Sequence, residues 1–330
     1  MSFTLFSAMK NEAPFLLEWV AYHKAIGFDR IVIYSNDSDD GTTELLDALS
    51  DAGEVEHRLL TVPPGVGPQI NAARHANRAG VLRPGDWVLW IDADEFLNIR
   101  VGDGTLPALL ERVGDHDGIL LQWRVFGDNG NGLFPGRLIS ADFTGASARG
   151  FDPNQEIKML FRVTDRVAGF ADVGINRPLL KPLPDNDAAR FLNGRGEALS
   201  SDYPPTRRWL DGEDFPRSRM LGQRDFGWRM GQINHYVVRT PEHFALKKLR
   251  GRGWTPADRP SAERHNQEFY DRMNRNEERD DSILRFADAV TAGIARLRLN
   301  PAIGRAEFNA QRIVNARIQG MLAEPPEPGL

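Results

Sequence analysis

Along the first 125 residues the apolar side chains recur with two alternating periods, and that alternation predicts the fold. The run FTLFSAM at 3–9 is short and continuous, like a covered strand, whereas residues 14–26 space their apolar positions at helical intervals between Pro14 and Gly27. RIVIYS at 30–35 is β-branched and aromatic, and it leads through the polar loop NDSDDG into the helical TTELLDALSDAG. Strand VEHRLLTV, helix GPQINAARHANRAGVL, strand WVLWI, helix TLPALLERV and strand GILLQWRVF continue the beat. Strand and helix in this order predict an α/β fold with a mostly parallel sheet covered by helices.

From about 149 to 239 the pattern loosens. Strands EIKMLFRV and QINHYVVR flank a Pro- and Gly-punctuated stretch, 178–216, that reads as long loops over a rim. After Pro241 the chain turns helical, most clearly at 280–299 and 301–321, and AEPPEPGL reads as a frayed tail. The division expected is a main unit over 1–240, with halves 1–130 and 131–240, and a helical C-terminal extension over 241–330.

In sheets of this kind ligands gather outside the carboxyl ends of the strands. WVLWIDADEFLNI at 87–99 sets five apolar residues directly before Asp92, Asp94 and Glu95. Strand alternation puts Asp92 and Asp94 on one side, where two carboxylates repel unless something positive lies between them. Mg²⁺ or Mn²⁺ is the usual answer, since either needs only one or two carboxylates and keeps positions for phosphate oxygens. A lone Asp-x-Asp more often caps a turn. Here two further polar loops share the rim: KNE at Lys10, Asn11 and Glu12, and NDSDDG with Asn36 and Asp37. Capping by Asp39, Asp40 or Thr42 accounts for part of that polarity and leaves other side chains for a ligand.

Composition narrows the classes. The 330 residues carry a net charge of −5, so the surface as a whole is no nucleic-acid footprint, and zero Cys removes disulfides, thiolate metal sites and cysteine nucleophiles. No basic leader precedes an apolar run and no 18-residue apolar stretch occurs, so the expectation is a cytoplasmic chain without a transmembrane segment, open to peripheral membrane contact through its C-terminal helices.

The stretch MKNEAPFLLEWVAYHKAIGFDRIVIYSNDSDDGT, followed some fifty residues on by WVLWIDADEFL, resembles the glycosyltransferase family 2-like enzymes, in the branch that also resembles family 92. The likeness covers about residues 1–130 and extends more weakly, through WRVFGDNG, EIKMLFRV and INHYVVRTPEHFALKKLRGRG, to about 253. It implies a GT-A fold and transfer of a sugar from a nucleoside diphosphate sugar, a UDP-sugar by default, to a saccharide of the cell surface or of an exported polymer. Lys10, Asn11 and Glu12 would then line the nucleotide pocket, Asn36 and Asp37 would lie near base or ribose, and Asp92 and Asp94 at ribose and metal. His235 in INHYVVR would complete the metal shell, with a packed core histidine as the equal alternative. In KKLRGRG, the residues Lys247, Lys248, Arg250 and Arg252 would clamp the diphosphate, where the plainer role is a solvated helix end.

An inverting transfer needs a general base, and Glu156, Asp172 and Asp214 are candidates that spacing does not separate. Trp123, Trp209 and Trp228 are candidate sugar platforms, although a Trp is more often a core residue first. Three other classes stay in view. A nucleotidyltransferase would carry a Gly-rich basic loop where this chain reads SAMKNEAP, a metal-dependent phosphohydrolase would draw on more than 7 His, and a nucleic-acid or protein-binding module would use KKLRGRG and the Arg-rich C-terminal helices.

Overall fold

The computed structural model describes residues 1–172, 175–182, 190–215, 221–250 and 266–323. Nine strands build one sheet: β1 (Phe3–Met9), β2 (Arg30–Ser35), β3 (Glu56–Leu59), β4 (Trp87–Trp90), β5 (Glu95–Ile99), β6 (Gly118–Val125), β7 (Ile157–Arg162), β8 (Phe191–Leu192) and β9 (Gly231–His235). Their order is β3-β2-β1-β4-β7-β6-β9-β5, with β8 added on β6. The β3-β2-β1-β4 half is parallel, while β7 runs antiparallel between β4 and β6, and β5 runs antiparallel to β9. The sheet is the mostly parallel α/β sheet read from the alternation, with β5 as an addition. Its FLNI follows DADE so closely that periodicity merges it with β4.

Period-two alternation is met with both faces covered. Leu5, Ile33 and Leu89 face the core that holds Trp19 and Leu45, from α1 (Ala13–Ala25) and α2 (Thr42–Asp51). Phe6, Tyr34 and Trp90 face the opposite core, with Ala73 of α3 (Pro68–Arg78) and Phe170. Trp19 and Leu89 are fully buried, and each such side chain contributes on the order of 1.5–3 kcal/mol through burial.

Three features fix the rim. Helix α4 (Leu106–Val113) packs Leu106 and Leu109 into the first core, and Trp19 and Tyr22 of α1 donate to the carbonyls of Glu95 and Leu97 at 3.0 and 2.8 Å, pinning β5. The helix α5 (Pro241–Arg250) follows β9 and brings Lys247 back over the end of β4. The last two helices, α6 (Ala287–Arg298) and α7 (Pro301–Ala323), pack on α1 and α2. Gly41, at φ 93°, approaches α7 so closely that a Cβ would stand 2.7 Å from that of Ala310. Within the described residues no helix is long and apolar enough to cross a membrane.

Candidate active site

The β4 strand stops at Trp90, and the chain turns over Asp92 to Glu95, closed by Glu95 N–H donating to the Asp92 carbonyl at 3.1 Å. Alternation therefore ends before the carboxylates, and the expectation that Asp92 and Asp94 share one side does not hold. Asp92 turns to α3 and β7: its Oδ1 accepts from Gln69 Nε2 at 2.6 Å and its Oδ2 from Lys158 Nζ at 3.2 Å. Asp94 turns to β9 and α5: its Oδ2 accepts from Lys247 Nζ at 2.5 Å and lies 3.7 Å from His235 Nε2.

The excess of acid at this strand end is answered by two buried lysines. Lys158 also stands 2.8 Å from Glu95 Oε2, which in turn accepts the Asp92 N–H at 2.8 Å. Burial pushes the Glu95 carboxyl up against the pull of Lys158. Burial would raise Asp94 as well, but Lys247 and His235 more than offset it and hold that carboxyl well below the usual carboxylate range. Burial lowers the Lys247 ammonium to about 8, with Asp94 opposing, and keeps the His235 ring below its ordinary value, hence neutral near pH 7.

The other two loops are knit together. Asn11 Nδ2 donates to Asp39 at 2.7 Å while the Asp39 N–H donates to Asn11 Oδ1 at 2.9 Å. Asp40 caps two helices at once, accepting from the Ala13 N–H at 3.2 Å and from the Thr42 N–H at 2.9 Å. Asn36 is buried and donates to the exposed Asp37 at 3.1 Å. Lys10 gives its carbonyl to Arg250 at 3.2 Å, and Glu12 pairs with both Arg250 and Arg239. Of the four described non-glycine residues at positive φ, three sit here: Asn11 at 53°, Asp37 at 43° and Arg239 at 53°. Backbone strain of this kind collects at ligand sites.

The basic segment divides. Lys247 is buried on Asp94, Arg250 is held by Glu12, Lys248 points into solvent, and Arg252 lies outside the described residues. Of the candidate bases, Asp172 and Asp214 are brought together, the Asp172 N–H donating to Asp214 Oδ2 at 2.8 Å, and Asp172 pairs with Arg74 of α3. Glu156 lies one residue before β7, the strand that carries Lys158 to Asp92. Trp209 is a core residue donating to the Pro178 carbonyl, whereas the Trp123 ring packs 4.1 Å from that of His235.

Sequence reasoning did not assign Gln69, Lys158 or Arg239. Lys158 had a signal, a cation set inside the apolar part of EIKMLFRV between Ile157 and Met159. Arg239 had only its place before the Thr-Pro that opens α5. Its side chain is 2% exposed, stacked 3.7 Å over Phe15, and faces a cavity of about 320 Å³ between the KNE loop, α5 and α7.

A sequence model of glycosyltransferase family 92 matches residues 6–133. A glycosyltransferase family 92 protein of Oryza sativa subsp. japonica is 32% identical over 142 residues, which is 41% of this chain and 23% of that protein. One of Arabidopsis thaliana is 40% identical over 87 residues, 26% of this chain and 14% of that protein. The matched part thus spans less than a quarter of those relatives' lengths. Among solved structures, S. aureus TarS 1-349 aligns over 97% of this chain and 92% of its own, at 17% identity and a TM-score of 0.34. At that distance the comparison rests on the sequence family. Residues 6–133, which contain the KNE, NDSDDG and DADE loops, are glycosyltransferase family 92-like.

Proposed function

We propose that the chain is a GT-A glycosyltransferase that moves a sugar from a nucleoside diphosphate sugar, a UDP-sugar in the first instance, to a saccharide acceptor. One observation carries the reading: the three loops of the family 92-like stretch converge on one rim, beside a cavity walled by buried cations. Lys10, Asn11 and Glu12 line the nucleotide site, Asn36 and Asp37 take base or ribose, and Asp92, held toward Gln69, faces the ribose.

A divalent cation, Mn²⁺ or Mg²⁺, belongs to this reading, and its fit rests on two residues. Asp94 is ionised, and the neutral His235 ring turns Nε2 toward it, 3.7 Å from Oδ2, so these two could share an ion. Two protein ligands suffice for such an ion when phosphate oxygens supply others. Asp92 does not join them, and no group of three His, Asp or Glu residues gathers as a metal site within the described residues. A bound ion would offset the charge that builds on the departing diphosphate. Lys247, on the same Asp94 oxygen, and Arg250 add fixed positive charge. An inverting route assigns the acceptor proton to Glu156 or to the Asp172–Asp214 pair.

Incubating the full chain with UDP-sugars and saccharide acceptors tests the reading, with UDP release as the readout. Release that requires both substrates is expected. Pyrophosphate formed from a nucleoside triphosphate and a sugar phosphate would instead assign a nucleotidyltransferase, and phosphate freed from simple esters a phosphohydrolase.

A further inference from the structure

We propose that Arg239 receives the diphosphate of the nucleotide donor, gripping it from inside the cavity closed by α5 and α7; this rests on the donor reading above. Among the described residues, Arg239 has one side-chain partner, Glu12, at 3.3 Å from Nη1, while its buried Nε and Nη2 have none. A sealed guanidinium with two unmade hydrogen bonds is costly, and proteins retain such groups where a ligand completes them.

The charges around it are already matched. Asp94 is taken by Lys247, Asp39 by Arg317 of α7, and Asp40 by the two helix starts it caps. Glu12 is shared between Arg250 and Arg239. Glu12 is thus one carboxylate between two guanidinium groups, and the other acid near Arg239, Glu18, is pushed up to about 7 by burial and accepts from Ile139 and Ser140, so no carboxylate sits on the two free N–H groups. Those groups form the planar fork that matches two oxygens of a phosphate. The positive backbone φ and the Phe15 face beneath the guanidinium hold the fork in place without a ligand. The cavity, at about 320 Å³, falls at the lower end of small-molecule sites.

The test is calorimetry and thermal shift on the full chain with three probes: inorganic pyrophosphate, UDP and uridine. In Arg239→Met the apo melting temperature should be unchanged or higher, the pyrophosphate-induced shift should vanish, and UDP should bind at least ~10-fold more weakly, with uridine unaffected. Arg239→Lys keeps the charge and loses the fork, so it should fold normally and bind pyrophosphate ~10-fold more weakly; it decides the matter should the Met variant not fold. Pyrophosphate binding within ~2-fold of the parent in either variant overturns the proposal. So does a melting temperature several degrees lower with nucleotide affinity retained, because that is the signature of a structural arginine. Failure of the parent to bind UDP while still binding pyrophosphate through Arg239 would sink the donor reading alone. UDP binding insensitive to Arg239 would sink this proposal alone.

Discussion

The Nζ of Lys158 lies 2.8 Å from Oε2 of Glu95, and both side chains are sealed from solvent. With Asp92 3.2 Å away, the same ammonium answers two of the three acids that end this apolar strand, and Lys247 answers the third. Replacing Lys158 by Met strands a buried carboxyl group. Because burial holds the Glu95 carboxyl up at about 8, the variant loses the hydrogen bonds of a buried acid rather than a full ion pair, and Lys158→Met should lower stability by about 1–3 kcal/mol. Urea unfolding checks this, with the midpoint falling at an unchanged slope. An unchanged midpoint would mean that neither Glu95 nor Asp92 depends on Lys158.

The two aspartates should separate kinetically, because they face different neighbours. Asp94→Asn removes the carboxylate that would hold a cation beside Lys247 and His235 and should cut the transfer rate by roughly 10²–10³, the scale of losing the positive charge that offsets the leaving group. Asp92→Asn keeps that arrangement and should raise the KM for the donor more than it lowers kcat. Circular dichroism spectra matching the parent would confirm that both variants keep their fold.

The contrast between those carboxylates also marks how far the sequence could be read. The acidic rim was legible because a five-residue apolar run covered on both faces must end somewhere wet, and KNE and NDSDDG end strands of the same parallel set. The direction of Asp94 was not, since alternation lapses once the ladder stops at Trp90 and the chain turns back through the Asp92–Glu95 hydrogen bond. Strand β5 was hidden for a related reason. It pairs with Gly231–His235, far along the chain, and no local periodicity announces a partner that distant. The pairings of Lys247 with Asp94 and Arg239 with Glu12 are likewise long-range. Capping of α2 by Asp40, by contrast, is local to its own loop and was foreseeable, though its reach to the Ala13 N–H was not.

Acid should loosen the C-terminal helices. Arg296 of α6 and Lys24 of α1 both donate to Glu54, and, led by the Arg296 hydrogen bond, they bring its carboxyl down to about 2. The folded value lies below the ordinary one of 4.5, so the unfolded chain binds more protons between them, and this stability is lost as pH falls from about 4.5 to about 2. Near the surface its size is under about 1 kcal/mol. Thermal melts across that window should fall less steeply for Glu54→Gln than for the parent; parallel curves would contradict the assignment.

Gly41→Ala should detach α7 from the rim. The added methyl group would meet the Cβ of Ala310 at 2.7 Å, and the backbone at φ 93° disfavours any side chain. Overpacking of this kind costs about 1–3 kcal/mol. A lowered melting temperature together with faster amide exchange in 301–323 would bear this out, and exchange unchanged in that helix would refute it.

Isothermal titration of UDP into the full chain with Mn²⁺ tests the central claim most directly. The account predicts saturable binding that weakens at least ~10-fold in Asp94→Asn. An absence of binding by the parent, or binding indifferent to both Asp92→Asn and Asp94→Asn, would contradict it.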